Sequence, residues 1–184
     1  MSAAPASVVS VAVFGSSQAT RAASHYRLAE SLGKALARRG AIIRCGGYGG
    51  IMEGVASGAK SEGGRVVGCT LRWFAEARTP NSYLDEVHES PDLHARIKCL
   101  LGGTRAAIVL PGGVGTLNEL LWVWTLLLFD RDDGPQGLIL LGDPWQELMD
   151  LLERRFEINE AVRSMVTIVQ DADEAARVAC GGSV

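Results

Sequence analysis

Short apolar runs with β-branched residues alternate along this 184-residue chain with longer stretches whose apolar positions recur at helical spacing. The runs are nearly continuous, which is typical of strands buried on both faces of a sheet. They lie at Val8–Phe14, Ala41–Cys45, Val66–Cys69, Ala106–Leu110, Gly137–Leu141 and Met165–Val169, with a weaker strand expected near Leu84–His88. The helical stretches lie at His25–Arg39, Ile51–Glu62, Leu93–Gly103, Thr116–Phe129, Pro144–Phe156 and Ala172–Cys180.

This alternation predicts an α/β protein with a Rossmann-like, doubly wound parallel sheet of about six or seven strands and helices on both faces. The length favours one domain over residues 8–184, preceded by a short disordered tail at residues 1–7. We interpret Arg131-Asp132-Asp133-Gly134-Pro135 as a polar turn between a helix and a strand, not as a domain boundary.

Composition and charge narrow the classes of partner. The formal net charge of -3 provides no basic face for a polymeric nucleic acid. The longest apolar runs, such as Leu120–Phe129, fall short of the roughly 20 residues that a membrane span needs, so we expect a soluble, cytoplasmic protein. The four cysteines form no C-x-x-C or Cys/His pattern, so we expect reduced, mostly buried thiols and no metal site.

Two glycine-containing turns follow the first two predicted strands, where ligands bind in this kind of fold. Gly15-Ser16-Ser17 can approach a phosphate closely and donate hydroxyl hydrogen bonds, or it can be an ordinary serine helix cap. Gly46-Gly47-Tyr48-Gly49-Gly50 can turn backbone N–H groups toward a phosphate or ribose at a helix start. Glycine turns of this kind also occur for purely steric reasons.

A third turn has the order strand, glycine loop, helix that anion binding requires. It is Pro111-Gly112-Gly113-Val114-Gly115-Thr116. Thr116 can cap the helix or donate to phosphate. Glu119 can close a capping box, but so near an anion it is better placed to face the sugar or a water. The loop has neither the third glycine of a dinucleotide-binding fingerprint nor the G-K-[ST] of a P-loop.

Two neighbouring helices carry further candidates. Arg96 and Lys98 lie before the third turn, where one of them could reach a ligand or both could lie on a solvated face. Trp122 and Trp124 lie on a helix that is apolar nearly all round. Such a helix is buried on two sides, by the sheet and by a twofold-related copy, so we predict a homodimer.

With these residues in hand, the chain resembles the Lonely Guy (LOG) family, long labelled "possible lysine decarboxylases". The resemblance covers about Val8 to Val169 and includes the turns at Gly15 and Gly46. Its most specific part is the segment from Pro111 to Glu119, which fits the family pattern P-G-G-x-G-T-x-x-E. Pro80-Asn81-Ser82-Tyr83 and Trp124 look more like a divergent branch that includes molybdenum-cofactor carrier proteins.

The resemblance implies hydrolysis of the N-glycosidic bond of AMP or a cytokinin riboside monophosphate, without a cofactor. It implies catalytic roles for Arg96 and Glu119 and phosphate binding by Gly113, Gly115 and Thr116. The family's arginine is followed by lysine, whereas Ile97 follows Arg96 here. That difference keeps open a non-catalytic nucleotide or molybdenum-cofactor carrier. Amino-acid decarboxylation is disfavoured, because none of the three lysines is predicted at a strand end in the site.

The base pocket is the least defined part of the prediction. Tyr48, Arg72, Trp73 and Tyr83 are its candidates, and each of them can equally be ordinary loop packing.

Overall fold

The computed structural model describes residues 8–74, 76–129 and 134–182. The tail at residues 1–7 and positions 131–133 of the polar turn lie outside them. The strands are β1 Ser10–Phe14, β2 Ile42–Cys45, β3 Arg65–Leu71, β4 Glu86–Ser90, β5 Ala106–Val109, β6 Gly137–Leu141 and β7 Val166–Val169. The helices are α1 Ser24–Arg38, α2 Ile51–Ser61, α3 Leu93–Leu101, α4 Val114–Leu128, α5 Trp145–Arg155, α6 Glu160–Arg163 and α7 Ala172–Ala179, with a 3₁₀ turn at Arg72–Phe74.

The seven strands form one parallel sheet in the order β4-β3-β2-β1-β5-β6-β7. The predicted doubly wound α/β fold is therefore confirmed, and the weak strand is real as edge strand β4. The chain runs outward from β1 in one direction and then returns to begin β5 on its other side. That reversal opens a crevice beyond the carboxyl ends of β1 and β5, which is where open α/β sheets bind ligands.

Two apolar layers cover the sheet. Helices α1, α2 and α7 pack on one face, around side chains such as Leu36 and Ile43. Helices α3, α4 and α5 pack on the other, around Leu100 and Leu120. Because every strand between the edges is covered on both faces, its apolar residues run continuously instead of alternating.

The expectation of four reduced thiols is wrong for two cysteines. Cys69 of β3 and Cys99 of α3 are joined in a disulfide, whereas Cys45 and Cys180 are free. The two partners are 30 residues apart, and packing of α3 on the sheet brings their Cα atoms within 6.2 Å. No local spacing rule predicts a pair that only tertiary packing creates.

Helix α6 was not predicted, because four residues carry too little periodicity to detect. Asn159 caps it by accepting a hydrogen bond from the backbone N–H of Val162. Within the part of the chain that is described, no helix is long and apolar enough to cross a bilayer.

Candidate active site

The three predicted turns meet at the carboxyl edge of the sheet, with the turn after β1 in the middle. The backbone N–H of Ser16 donates to the carbonyl oxygen of Pro111 at 3.1 Å. The carbonyl oxygen of Ser16 accepts from the N–H of Ile51 at 2.8 Å. Gly50 has a φ of 70°, and a Cβ atom there would overlap the Ser16 carbonyl oxygen. The last glycine of the second turn is therefore needed to let the first turn approach.

The serines of the first turn do not cap a helix. Helix α1 begins only at Ser24, and the Ser16 hydroxyl accepts from the backbone N–H of Gln18 at 3.0 Å. Ser16 and Ser17 instead border a cavity, together with Gly15. Of the two interpretations of this turn, the structure excludes the helix cap and leaves the ligand role open.

The cavity has a volume of about 380 Å³ and lies over the crevice between β1 and β5. Several of the predicted site residues line it: Gly15, Ser16, Ser17, Gly46, Arg96, Gly113, Gly115, Thr116 and Glu119. The remaining predicted residues do not form part of its wall: Gly47, Gly49, Gly50, Gly112 and Val114. Gly47 and Gly50, both with positive φ, serve the steric needs of the turn instead.

Helix α4 points its N-terminus at this cavity. The helix begins at Val114, two residues earlier than predicted, and Gly113 is its N-cap residue, without a capping side chain. Thr116 is therefore not the cap, and Glu119 closes no capping box. Instead the buried Thr116 side chain occupies the space that a Cβ on Gly112 would fill. The uncapped first turn leaves backbone N–H groups and a partial positive charge available to an anion.

Arg96 of α3 and Glu119 of α4 lie next to each other in the cavity wall. The Nη1 atom of Arg96 lies 3.6 Å from Oε1 of Glu119, and each side chain is 14% exposed. Nε of Arg96 donates to the carbonyl oxygen of Cys69 at 2.9 Å, which fixes the guanidinium from the sheet side. Asp92 caps α3 by accepting from the N–H of Ala95, so the helix begins one turn before Arg96.

The carboxyl group of Glu119 is unusually basic. Burial disfavours its charged form and raises its pKa from 4.5 to about 7, although the nearby charge of Arg96 acts in the opposite direction. A carboxyl with a pKa near neutrality can take up and release a proton under physiological conditions, as general acid–base catalysis requires.

The residue between Arg96 and Lys98 faces away from the cavity. Ile97 is 6% exposed and packs in the core beneath α3. Lys98 is exposed and lies outside the cavity wall. Consequently the cavity has an arginine from α3 but no lysine beside it.

Sequence reasoning missed several cavity residues, above all in the irregular segment between β3 and β4. Phe74 and Arg78 both line the cavity, and the Cζ atom of Arg78 lies 4.7 Å from the centre of the Phe74 ring. Tyr48, a base-pocket candidate, also lines it, whereas Arg72, Trp73 and Tyr83 do not. The sequence signal that could have identified these two residues is an arginine close to aromatic residues in the long connection between β3 and β4. The other missed wall residues are Val13, Phe14, Gln18, Met52 and Leu93.

The two tryptophans of α4 have different environments. Trp124 is buried and donates from Nε1 to the carbonyl oxygen of Val162 at 3.0 Å. Trp122 is 37% exposed and contacts the ring of His94 edge-on. The exposed apolar face of α4 consists of Val114, Leu117, Leu121, Trp122 and Leu128. Trp124 therefore belongs to the core, where the α6 carbonyl satisfies its N–H.

No group of three or more His, Cys, Asp or Glu side chains among the described residues is arranged to hold a metal ion.

Comparisons with known proteins give a family and a fold. A family model described as "Possible lysine decarboxylase" matches residues 52–179. A cytokinin riboside 5′-monophosphate phosphoribohydrolase of Mycobacterium tuberculosis is 35% identical over 136 residues, which cover 73% of this chain and 71% of the relative. The corresponding protein of Rhodococcoides fascians is 32% identical over 171 residues, covering 90% of this chain and 86% of the relative.

Solved structures of low sequence identity share the architecture. The molybdenum cofactor binding protein of Rippkaea orientalis is 20% identical, with a TM-score of 0.73 over 93% of this chain and 94% of its own. The molybdenum cofactor carrier protein of Chlamydomonas reinhardtii is 22% identical, with a TM-score of 0.69 over 93% and 95%. At these identities the likeness concerns the fold alone.

Proposed function

Since the chain belongs to the family described as possible lysine decarboxylases, whose relatives include cytokinin riboside 5′-monophosphate phosphoribohydrolases, we propose that it hydrolyses the N-glycosidic bond of a nucleoside 5′-monophosphate. The observation that carries this proposal is the pairing of Arg96 with a buried Glu119 in a cavity that also receives the N-terminus of α4. AMP and its N6-substituted cytokinin relatives are the proposed substrates.

The phosphate end of the substrate lies at the start of α4. The N–H groups of its first turn and the Thr116 hydroxyl donate to the phosphate oxygens, and Gly113 and Gly115 allow close approach. Ser16 and Ser17 add hydroxyl donors from the turn after β1. Such a cradle favours a phosphorylated ligand over the free nucleoside.

The chemical step uses the carboxylate of Glu119. As the bond between C1′ and the base nitrogen breaks, its electron pair leaves with the base and positive charge develops on the ribose. The Glu119 carboxylate stabilises that charge and takes a proton from the water whose oxygen bonds to C1′. The released base takes up a proton, and the products are free base and ribose 5-phosphate.

Arg96 holds Glu119 and the ribose in the reacting geometry. Its guanidinium is already fixed by Cys69 and Glu119, so little ordering is needed when a ligand binds. Its charge also favours the ionised form of Glu119 that the step requires.

Lysine decarboxylation is not proposed, despite the name of the family. That reaction uses pyridoxal phosphate attached to a lysine side chain. The cavity wall contains none of Lys34, Lys60 and Lys98.

We further propose that the exposed face of α4 is a homodimer interface. Leu121 and Trp122 border an apolar depression of about 390 Å³ on this face. An exposed apolar surface next to the site is typical of an interaction surface.

The second candidate is a carrier that binds a nucleotide or a molybdenum cofactor without cleaving it. Ile97 stands in the place of the family's lysine and packs in the core instead of lining the cavity. This favours the carrier, because the cavity then has one cation fewer for catalysis.

Chromatographic detection of free base after incubation with AMP and isopentenyl-AMP separates the two candidates. We expect the wild-type protein to release base and the Glu119→Gln and Arg96→Ala variants to release none above background. Nucleotide binding without release would overturn the hydrolase and support the carrier.

A further inference from the structure

The disulfide between Cys69 and Cys99 is linked to the arginine of the candidate site. Cys69 belongs to β3, and its carbonyl oxygen accepts the hydrogen bond from Nε of Arg96 at 2.9 Å. Its sulfur is bonded to Cys99, which lies three residues after Arg96 on α3. Residues three apart lie on the same face of a helix, about one turn from each other. One residue of the sheet therefore holds α3 at two successive turns, once through its backbone and once through its side chain.

A hydrogen bond from β2 holds the same turn of α3. Nη1 of Arg44 donates to the carbonyl oxygen of Cys99 at 2.7 Å. That carbonyl belongs to the last turn of the helix, where backbone acceptors lack an intrahelical donor. Breaking the disulfide leaves this contact in place. Helix α3 then remains docked on the sheet, while its position against β3 is no longer fixed by a covalent bond.

The two sulfurs differ in their access to solvent. Cys69 is fully buried in the layer beneath α3, whereas Cys99 is only partly buried. A small-molecule thiol can therefore attack the Cys99 sulfur, and Cys69 leaves with the electron pair of the S–S bond and takes up a proton. A second small thiol displaces Cys99 from the mixed disulfide. In total, two small thiols become one small disulfide and the protein gains two thiols. Oxidation is the reverse exchange with a small-molecule disulfide.

The two free cysteines lie on the other face of the sheet. Cys45 packs in the layer beneath α1 and α2, where burial raises the pKa of its thiol to about 11 and keeps it protonated at neutral pH. Cys180 is partly buried against the same layer. Exchange at the bond between Cys69 and Cys99 is therefore not relayed to either of them.

We propose that the Cys69–Cys99 disulfide is a redox-sensitive positioning element for Arg96. With the bond formed, α3 holds the guanidinium against Glu119. With the bond reduced, the guanidinium is held less closely and base release slows. This inference rests on the proposed function for its effect on catalysis, whereas the link between the disulfide and Arg96 holds whatever the site cleaves.

Carbon-13 NMR of the Glu119 carboxyl measures that link without any substrate. Of the described charged groups, Arg96 is the one that acts on this carboxyl, and it lowers the pKa against the effect of burial. A guanidinium held less closely should let the pKa rise. We expect reduction with dithiothreitol to raise it by about half a unit to one unit. Glu119→Gln identifies the signal, and mass spectrometry after alkylation of free thiols verifies the redox state of each sample.

Arg96→Ala separates positioning from a general effect on the fold. It keeps both cysteines but removes the charge that the disulfide is proposed to place, so the Glu119 pKa should be the same in its oxidised and reduced forms. Cys99→Ser should behave as permanently reduced protein, and chemically reduced wild-type protein takes its place if that variant does not fold. Cys180→Ser is the matched control, because it leaves the pair intact and does not line the cavity, and it should keep the full response.

Base release from AMP gives the second readout. We expect reduction to lower kcat about three- to tenfold and to change KM less than about twofold, because a displaced positioning group costs mainly the chemical step. Thermal melting verifies that the reduced protein is folded at the assay temperature.

The outcomes separate the positioning element from the proposed reaction. Equal Glu119 pKa values in the two states, a shift that persists in Arg96→Ala, or failure of the two cysteines to join under glutathione disulfide overturns the positioning element, even if AMP is cleaved. Equal rates of base release in the two states overturn its control of catalysis. A pKa shift that is lost in Arg96→Ala supports the positioning element, even if the protein releases no base and the hydrolase proposal fails.

Discussion

The guanidinium group of Arg96 lies in the space that a side chain on Gly46 would occupy. A Cβ atom at position 46 would overlap Nη2 of Arg96 and also collide with the sulfur of Met52. The glycine that follows β2 thus makes room for an arginine that comes from α3, 50 residues later. Its absent side chain is part of how the site is built.

Gly46→Ala should therefore displace Arg96 from Glu119. We expect base release from AMP to fall at least about tenfold, because a small misplacement of a positioning group costs much of its effect. Gly137→Ala is the control, since a Cβ there meets only ordinary contact at 3.7 Å with Ala106, far from the site. Activity of Gly46→Ala equal to that of the control would show that the position of Arg96 is not required.

The rate of base release should depend on pH through Glu119. The proposed step requires the ionised carboxylate, and the pKa of this group is about 7. Activity should rise with pH through the neutral range and level off above it. A kcat profile already flat between pH 5 and 8 would contradict the assignment of Glu119 as the base.

Stability should change with pH in the opposite direction. The folded protein keeps a proton on Glu119 that the unfolded chain, with the ordinary pKa of 4.5, releases as the pH rises from 4.5 to about 7. This carboxyl therefore favours the folded state most at low pH, and its contribution declines across that interval by up to about 3 kcal/mol. Urea unfolding at pH 5 and 7.5 measures the decline. The Glu119→Gln variant should lack this part of the pH dependence.

Position 97 should not tolerate a lysine, although lysine is the residue that follows the arginine in the family. Its side chain is buried in the core beneath α3, so Ile97→Lys places a charge there and should lower the free energy of unfolding by about 2–4 kcal/mol. Lys98→Ala, on the exposed face, should change it by less than about 0.5 kcal/mol and alter base release less than about twofold. Loss of activity in a stable Lys98→Ala protein would mean that Lys98 takes the role of the family's lysine.

The proposed dimer should depend on the exposed face of α4. Leu121 is 52% exposed there, and Leu121→Glu should convert a dimer into a monomer, as measured by light scattering during size-exclusion chromatography. Leu151→Glu is the matched control, because Leu151 is 44% exposed on α5. A wild-type monomer at micromolar concentration would contradict the proposal.

Sequence determined the elements of this protein that depend on local pattern. Continuous apolar runs predicted the buried parallel strands, because a strand covered on both faces needs apolar residues at successive positions. The order of elements predicted the edge of the sheet at which the turns at Gly15, Gly46 and Gly113 meet. Arg96 and Glu119 were candidates from their positions and took catalytic roles from the resemblance, and the structure places Nη1 of the first 3.6 Å from Oε1 of the second.

Only the tertiary structure decided what depends on contacts between distant segments. The space that Gly46 leaves for Arg96, the disulfide between Cys69 and Cys99, and the burial of Trp124 against α6 have no local signature. Arg78 likewise belongs to an irregular connection, whose course is set by the hydrogen bonds of Asn81 to the glycine loop. Periodicity reports which face of an element is buried, whereas the partner that buries it is chosen by packing across the whole chain.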